Sequence, residues 1–309
     1  MLENTHAGLN QGCNGSLQMR RRFFEAGGAF TESLGDYTIS GQRVSMTFNE
    51  HHRIQGPTID LTQGFFDALA GSKGGIDDLH EHRVIDSNVY VMESNGQSII
   101  LDPGGFEVFP QVFAALVEVV PPNSLKAAFV SHQDPDIASS LPLWHACNEQ
   151  IQWHIPKLWD GFIRHYGALE APLQDIPDEG GDMLIGGRRL EFIPAHYLHS
   201  SGNFHLYDPE AKVLFSGDVG AALLPPGHGA WVDRRDKSGR AFEEHITKAK
   251  YFHECWMPSN AAKKDWINRV CKLEIDYLCP QHGAIYSGDN VQRFFEWFDG
   301  LNVGTAINE

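Results

Sequence analysis

The sequence predicts an α/β protein built of two β-sheets with helices on their outer faces. Three observations carry this reading. Short apolar runs of strand length recur along the chain, each stopped by turn residues. Amphipathic stretches of helix length follow them, in two similar halves. No low-complexity linker interrupts the pattern, so one domain is expected over residues 36–309, with residues 1–35 as an N-terminal extension.

The elements follow in order. Residues 1–35 hold MRRRFFEA, enough for one short helix, between Gly-rich polar segments, and read as an arm or partner contact. TISGQRVSMTF alternates apolar and polar residues and reads as a hairpin. TQGFFDALAGS carries a turn or two of helix. In SNVYVMESNGQSIILDPGG a strand meets an Asn-Gly turn, and a buried strand then runs until Asp102-Pro103-Gly104-Gly105 stops it. EVFPQVFAALVEVV is an amphipathic helix with Pro110 near its first turn. AFEEHITKAKYFHEC and AAKKDWINRVCKL are helices expected to cover a sheet face, and DNVQRFFEWFDGL is a terminal amphipathic helix.

Composition excludes several classes. Among 309 residues, 24 Lys and Arg face 40 Asp and Glu, a net charge of −16. Phosphate binding needs a basic stripe, so no nucleic-acid partner is expected. No run approaches the length of apolar sequence that spans a bilayer, so no membrane partner is expected. The first residues, MLENTHAGLNQGCNGS, lack an apolar signal region. The five cysteines are odd in number and widely spaced, without a CxxC pair. That argues against a disulfide framework and fits a reducing cytoplasm.

Four apolar strands end in the same way. LKAAFV runs into Ser131-His132-Gln133-Asp134-Pro135-Asp136, RRLEFIPA into His196-Tyr197-Leu198-His199, KVLFSG into Asp218, and IDYLC into Pro280-Gln281-His282-Gly283. Rigid scaffolds place chemistry on such loops. Pro135 holds Asp134 out of the helical region. His132, Asp134, Asp136, His199, Asp218 and His282 then make three imidazoles and three carboxylates, donors that suit iron, manganese or zinc. One ion with open positions does not need six ligands, so two ions are the natural reading, with Asp218 between them. Each residue alone has a plainer reading. Asp136 could cap a helix, Asp218 could be a turn residue and His282 could end a turn. Four coincidences at four strand ends outweigh them.

This constellation resembles the metallo-β-lactamase superfamily over about residues 85–300. The family's HxHxDH loop reads His132-Gln133-Asp134-Pro135-Asp136-Ile137. Its HTPGS-like segment reads His199-Ser200-Ser201-Gly202-Asn203, its LFSGD motif Leu214–Asp218, and its PxHG motif Pro280–Gly283. The resemblance implies a four-layer αββα sandwich with a dinuclear site at the rim of the sheets. Asp134 and Ile137 depart from the hydrolytic zinc pattern. They look like the HxExD loop of flavo-diiron proteins, with Asp for Glu. HSSGNFHLYDPEAKVLFSGD and PQHGAIYSGDNVQRFFEWF look like the related stand-alone oxygen-binding diiron proteins.

The resemblance assigns His132, Asp134 and His199 to one iron, Asp136 and His282 to the other, and Asp218 to both. It implies binding, and possible reduction, of O2 or NO, and a homodimer. Three carboxylates favour a redox iron pair over zinc, because anionic oxygen ligation stabilises higher oxidation states. Ile137 would leave the second ion open to a diatomic. The chain stops soon after its last predicted helix and has no CxxC, so an external electron carrier or a signalling partner is expected. The alternative is a zinc-dependent hydrolase using metal-bound hydroxide. His80 and His82 are candidate pocket residues by the same resemblance. His196 competes with His199 as ligand, and His199 is preferred because the Ser200-Ser201-Gly202-Asn203 that follows it matches the family segment.

Overall fold

The computed structural model describes residues 87–224, 231–232, 236 and 238–307. It also describes the backbone of five short strands: β1 (Asp36–Ile39), β2 (Met46–Phe48), β3 (His51–Gln55), β4 (Ile59–Asp60) and β5 (Val84–Ile85). Residues 1–35, the TQGFFDALAGS segment, His80 and His82 lie outside the described residues.

The expected hairpin is present, with β1 and β2 antiparallel, and β3 joins them to β6 (Asn88–Ser94). At the Asn95-Gly96 turn both φ angles are positive, 47° and 75°, the geometry that a two-residue hairpin requires and that Asn-Gly supplies at low cost. The turn leads into β7 (Gln97–Leu101). From there the sheet becomes parallel through β8 (Leu125–Phe129), β9 (Gln152–Pro156) and β10 (Leu173–Ile176). Parallel strands need crossovers. These are α1 (Phe109–Val119), which buries Val112 and Leu116 one helical turn apart, then α2 (Pro135–Ala138), α3 (Leu141–Cys147) and α4 (Asp160–Ile163).

The second sheet runs in the order β11 (Gly181–Ile185), β12 (Arg188–Pro194), β13 (Phe204–Asp208), β14 (Val213–Phe215), β15 (Tyr277–Cys279) and β16 (Tyr286–Ser287). Every neighbour is antiparallel except the β14–β15 pair. Two reversals make β12 run with β14, and β15 runs with both. The C-terminal ends of β12, β14 and β15 therefore share one edge. Outside this sheet lie α5 (Arg240–Trp256), α6 (Asn260–Val270), capped by the Ser259 hydroxyl, and α7 (Asp289–Gly300).

Strand alternation divides the core into three layers. Tyr90, Met92, Ile99, Leu101 and Phe129 face Phe192, Phe204, Leu206 and Phe215 between the sheets. Val89, Val91, Ile100 and Ala128 point the other way, onto Val112, Leu116 and Trp144. Leu214, Leu278 and Tyr286 meet Phe252, Trp266, Phe294 and Phe298 of the outer helices. Both faces of β6–β8 and of β13–β15 are covered, which is why these strands read as nearly continuous apolar runs, whereas β11 and β12 alternate and leave Leu184 and Arg189 exposed. Truncating a fully buried ring such as Phe294 would cost ~3–5 kcal/mol. The result is the four-layer αββα sandwich.

Candidate metal centre

The four strand ends meet at one rim. Main-chain bonds join their loops: Phe204 N–H donates to the Ser131 carbonyl at 3.0 Å, Ser216 N–H to Cys279 at 3.0 Å, and Gln281 N–H to Gly217 at 2.7 Å. From the first sheet, the buried Asn88 amide donates to the carbonyls of Pro280 (3.0 Å) and Gly283 (2.9 Å), on either side of His282. Asp134 is extended (φ −62°, ψ 146°) before Pro135, as its sequence position requires. Asp136 lies on the first turn of α2, and Asp134 rather than Asp136 occupies the position before the helix.

His132, Asp134, His199 and Asp218 bring one ligand atom each within 4.8 Å of one another. His132 Nε2 lies 3.3 Å from Asp218 Oδ2 and 3.5 Å from Asp134 Oδ2. His199 Nδ1 lies 2.9 Å from the same Asp218 oxygen, and its Nε2 lies 3.7 Å from Asp134 Oδ2. The other Asp218 oxygen, Oδ1, faces His282 Nε2 at 3.6 Å, and that nitrogen is 3.3 Å from Asp136 Oδ2. One carboxylate thus turns an oxygen to each half of the cluster. His196 lies elsewhere: its Nε2 is 3.0 Å from the Asp178 carbonyl and its ring stands edge-on to Phe204.

The donor set fits a cation. His132 Nε2, His199 Nδ1 and Asp218 Oδ1 are buried and make no hydrogen bond. The 2.9 Å approach of His199 to Asp218 is short, yet it lacks hydrogen-bond geometry. Buried polar atoms left without partners are costly, and they are rare unless something else satisfies them. Ligands sharing an ion at bond lengths of ~2.0–2.2 Å stand ~3–4 Å apart, the spacing observed.

Electrostatics agrees. Burial alone would push the His132 imidazolium down, but Asp218 and Asp134 outweigh it and hold it well above its usual range. Burial would raise the Asp218 carboxyl, but His132 and His199 hold it well below the carboxylate range. The centre therefore keeps its carboxylate ionised and draws positive charge.

Several supporting residues escaped the sequence reading. Asp102 is buried, and burial lifts its carboxyl to about 6 although it accepts the Ser131 N–H at 2.7 Å. The Ser131 hydroxyl is 2.9 Å from His132 Nδ1, the ring atom turned away from the cluster. Asp102 also ends a buried strand, β7, so the rule that found the ligands could have flagged it. The rings of Phe252 and Trp256 flank His199 at 5.9 and 6.0 Å. His205, fully buried, accepts the Trp266 N–H at 3.0 Å, and burial pushes it down to about 3.

Fold and site together define a metallo-β-lactamase-like domain with a carboxylate-rich centre. Residues 85–283 match the family described as ODP family beta lactamase, and the chain belongs to it. Among solved structures, a peroxy diiron species of the chemotaxis sensor ODP is 33% identical, with a TM-score of 0.64, over 71% of this chain and 89% of that one. The apo state of that sensor from T. denticola is 32% identical, again at 0.64, over 72% and 92%. A flavo di-iron protein mutant from Thermotoga maritima, 22% identical at 0.62, shares the fold. A nitric oxide reductase of Moorella thermoacetica is 24% identical over 73% of this chain and 56% of its own. An uncharacterised protein of Methanocaldococcus jannaschii is 27% identical over 71% and 55%. The chain spans about half the length of these curated relatives.

Proposed function

We propose that this protein holds two iron ions and binds a diatomic gas, O2 or NO, as an oxygen-responsive sensor. His132, Asp134 and His199 would hold one ion, Asp136 and His282 the other, and Asp218 both. The observation that carries the reading is the divided Asp218 carboxylate, one oxygen towards His132 and His199 and the other towards His282. Ferrous ions, when bound, supply the electrons and the coordination positions that a diatomic ligand needs. The protein supplies geometry, charge and shelter. Three aspartates provide the anionic oxygen that favours iron over a hydrolytic zinc pair. Ile137, fully buried, offers no donor atom beside Asp136. Phe252 and Trp256 pack beside the imidazole of His199 and cover part of it.

Likeness to the chemotaxis sensor spans about nine-tenths of that protein, which supports a sensing role. A second reading, reduction of the gas by electrons from an external carrier, draws on the nitric oxide reductase relative. A cytoplasmic location is the reading that the odd number of widely spaced cysteines, without a CxxC pair, favours. Among the described residues no helix is long and apolar enough to cross a membrane. Residues 36–309 would form one unit, since β1–β3 pair into the first sheet, with residues 1–35 as an extension. A homodimer is the assembly that the resemblance to flavo-diiron proteins implies.

The test is iron and zinc content of protein purified without oxygen, with the visible spectrum followed on exposure to air. Two irons per chain and a spectral change on oxidation are expected. Zinc alone, no response to O2 or NO, and cleavage of ester or thioester substrates would install the hydrolase reading instead.

A further inference from the structure

We infer that Gln133 is a positioning residue that makes Asp134 a one-oxygen donor, and that Ser200 holds Gln133 in that role. The inference deepens the reading above and rests on Asp134 being a ligand. The Gln133 amide Nε2 donates to Asp134 Oδ1 at 2.9 Å. The Ser200 hydroxyl donates to Gln133 Oε1 at 2.6 Å, and the Tyr166 hydroxyl donates to the Gln133 main-chain carbonyl at 2.7 Å.

The amide orientation follows from chemistry. An ionised carboxylate only accepts, so the NH2 end of the amide must face Asp134, and the oxygen end then takes the hydroxyl proton of Ser200. Asp134 Oδ1 is thereby engaged, and Oδ2 is left to face His132 and His199 at 3.5 and 3.7 Å. A carboxylate with one oxygen tied back by a hydrogen bond favours one-oxygen ligation over chelation. It occupies one coordination position and leaves another for a diatomic. Ser200 follows His199 in sequence, so one short network fixes two donors from opposite sheets. The second carboxylate has a looser counterpart, since the Gln281 amide reaches Asp136 Oδ2 only at 3.5 Å.

The test compares wild type, Gln133→Met, Ser200→Ala and Asp134→Ala. Each is titrated with iron(II) without oxygen, each is melted metal-free, and zinc-loaded crystals give the coordination of Asp134. Gln133→Met keeps length and removes both polar atoms. It is expected to weaken the tighter-bound ion by about 10–100-fold, to leave the metal-free melting temperature near wild type, and to let both Asp134 oxygens approach the ion. Ser200→Ala should act in the same direction by a few-fold, and it keeps the test open if Gln133→Met does not fold. Unchanged affinity, or an Asp134 that still presents one oxygen, overturns the inference. If Asp134→Ala loses an ion while Gln133→Met does not, only the positioning role falls. If Asp134→Ala also binds as wild type does, the ligand reading falls with it.

Discussion

The two halves of the centre are built differently. Around His132 the donors are held before any ion arrives. The side chains of His132 and Asp218 are 1% and 4% exposed, Ser131 backs the imidazole, and Gln133 fixes Asp134. Around His282 the histidine is held through the carbonyls beside it, but Asp136 is 44% exposed and its amide neighbour stands at 3.5 Å. On the proposed ligand set, the first half is preorganised, whereas the second would be completed by its ion. A preorganised site spends less ordering entropy on binding, so the His132 half should fill first and hold more tightly.

The largest break in this comparison is Asp218→Ala. It removes the oxygen each half draws on and leaves two ions unshielded from each other, so both are expected to be lost. Metal analysis that still finds two ions at wild-type affinity would end the bridging role. Next, His282→Ala should leave one ion per chain, whereas His132→Ala should leave none bound tightly, because the outer half relies on an occupied inner one. Equal losses from the two variants, counted by metal analysis, would erase the difference between the halves.

A third change rewrites the loop. Asp134→His with Ile137→His removes one carboxylate and adds two imidazoles. Competition between iron and zinc should shift towards zinc, and any response to oxygen should weaken. Unchanged iron retention and oxygen response would show that these positions do not set the chemistry.

Acid sharpens the comparison more gently. The inner half is backed by His253, whose Nε2 accepts the Gly220 N–H at 3.0 Å, and burial holds it at about 4. His205 is held at about 3 and His154 at about 4, against an ordinary 6.5. A lowered histidine binds its proton in the unfolded chain first, so its contribution is complete above pH 6.5 and is lost as pH falls towards 4. Asp102, raised to about 6, opposes with one proton between its ordinary 3.8 and 6. Each proton is worth ~1.4 kcal/mol per pH unit. Melting of the metal-free protein should therefore fall between pH 6.5 and 4, and a flat profile would show that these histidines are not held neutral. Smallest of all, His196→Ala removes one contact to the Asp178 carbonyl, costing ~1 kcal/mol of stability, with metal content unchanged.

Much of the fold was legible because its elements are locally encoded. Apolar runs stopped by Asp, Pro and Gly gave the strands, Asn95-Gly96 gave a turn that only φ > 0 residues close cheaply, and Val112 and Leu116 marked the buried face of α1. The candidate donors were legible because they stand where strands end. The supports were not. Gln133 and Ser200 are ordinary polar residues 67 positions apart, and Asn88 lies nearly 200 positions from the loop it holds. No local pattern distinguishes them from surface residues.

The sequence by itself determined that β8, β12, β14 and β15 would each deliver a His or Asp to a loop, because strand length and termination depend on neighbours along the chain. Only the tertiary structure decided where the competing His196 goes, to the Asp178 carbonyl, and which oxygen of Asp218 each half receives. Those outcomes depend on how two sheets stack and where their edges coincide. Packing between distant layers sets that alignment, and no stretch of sequence records it.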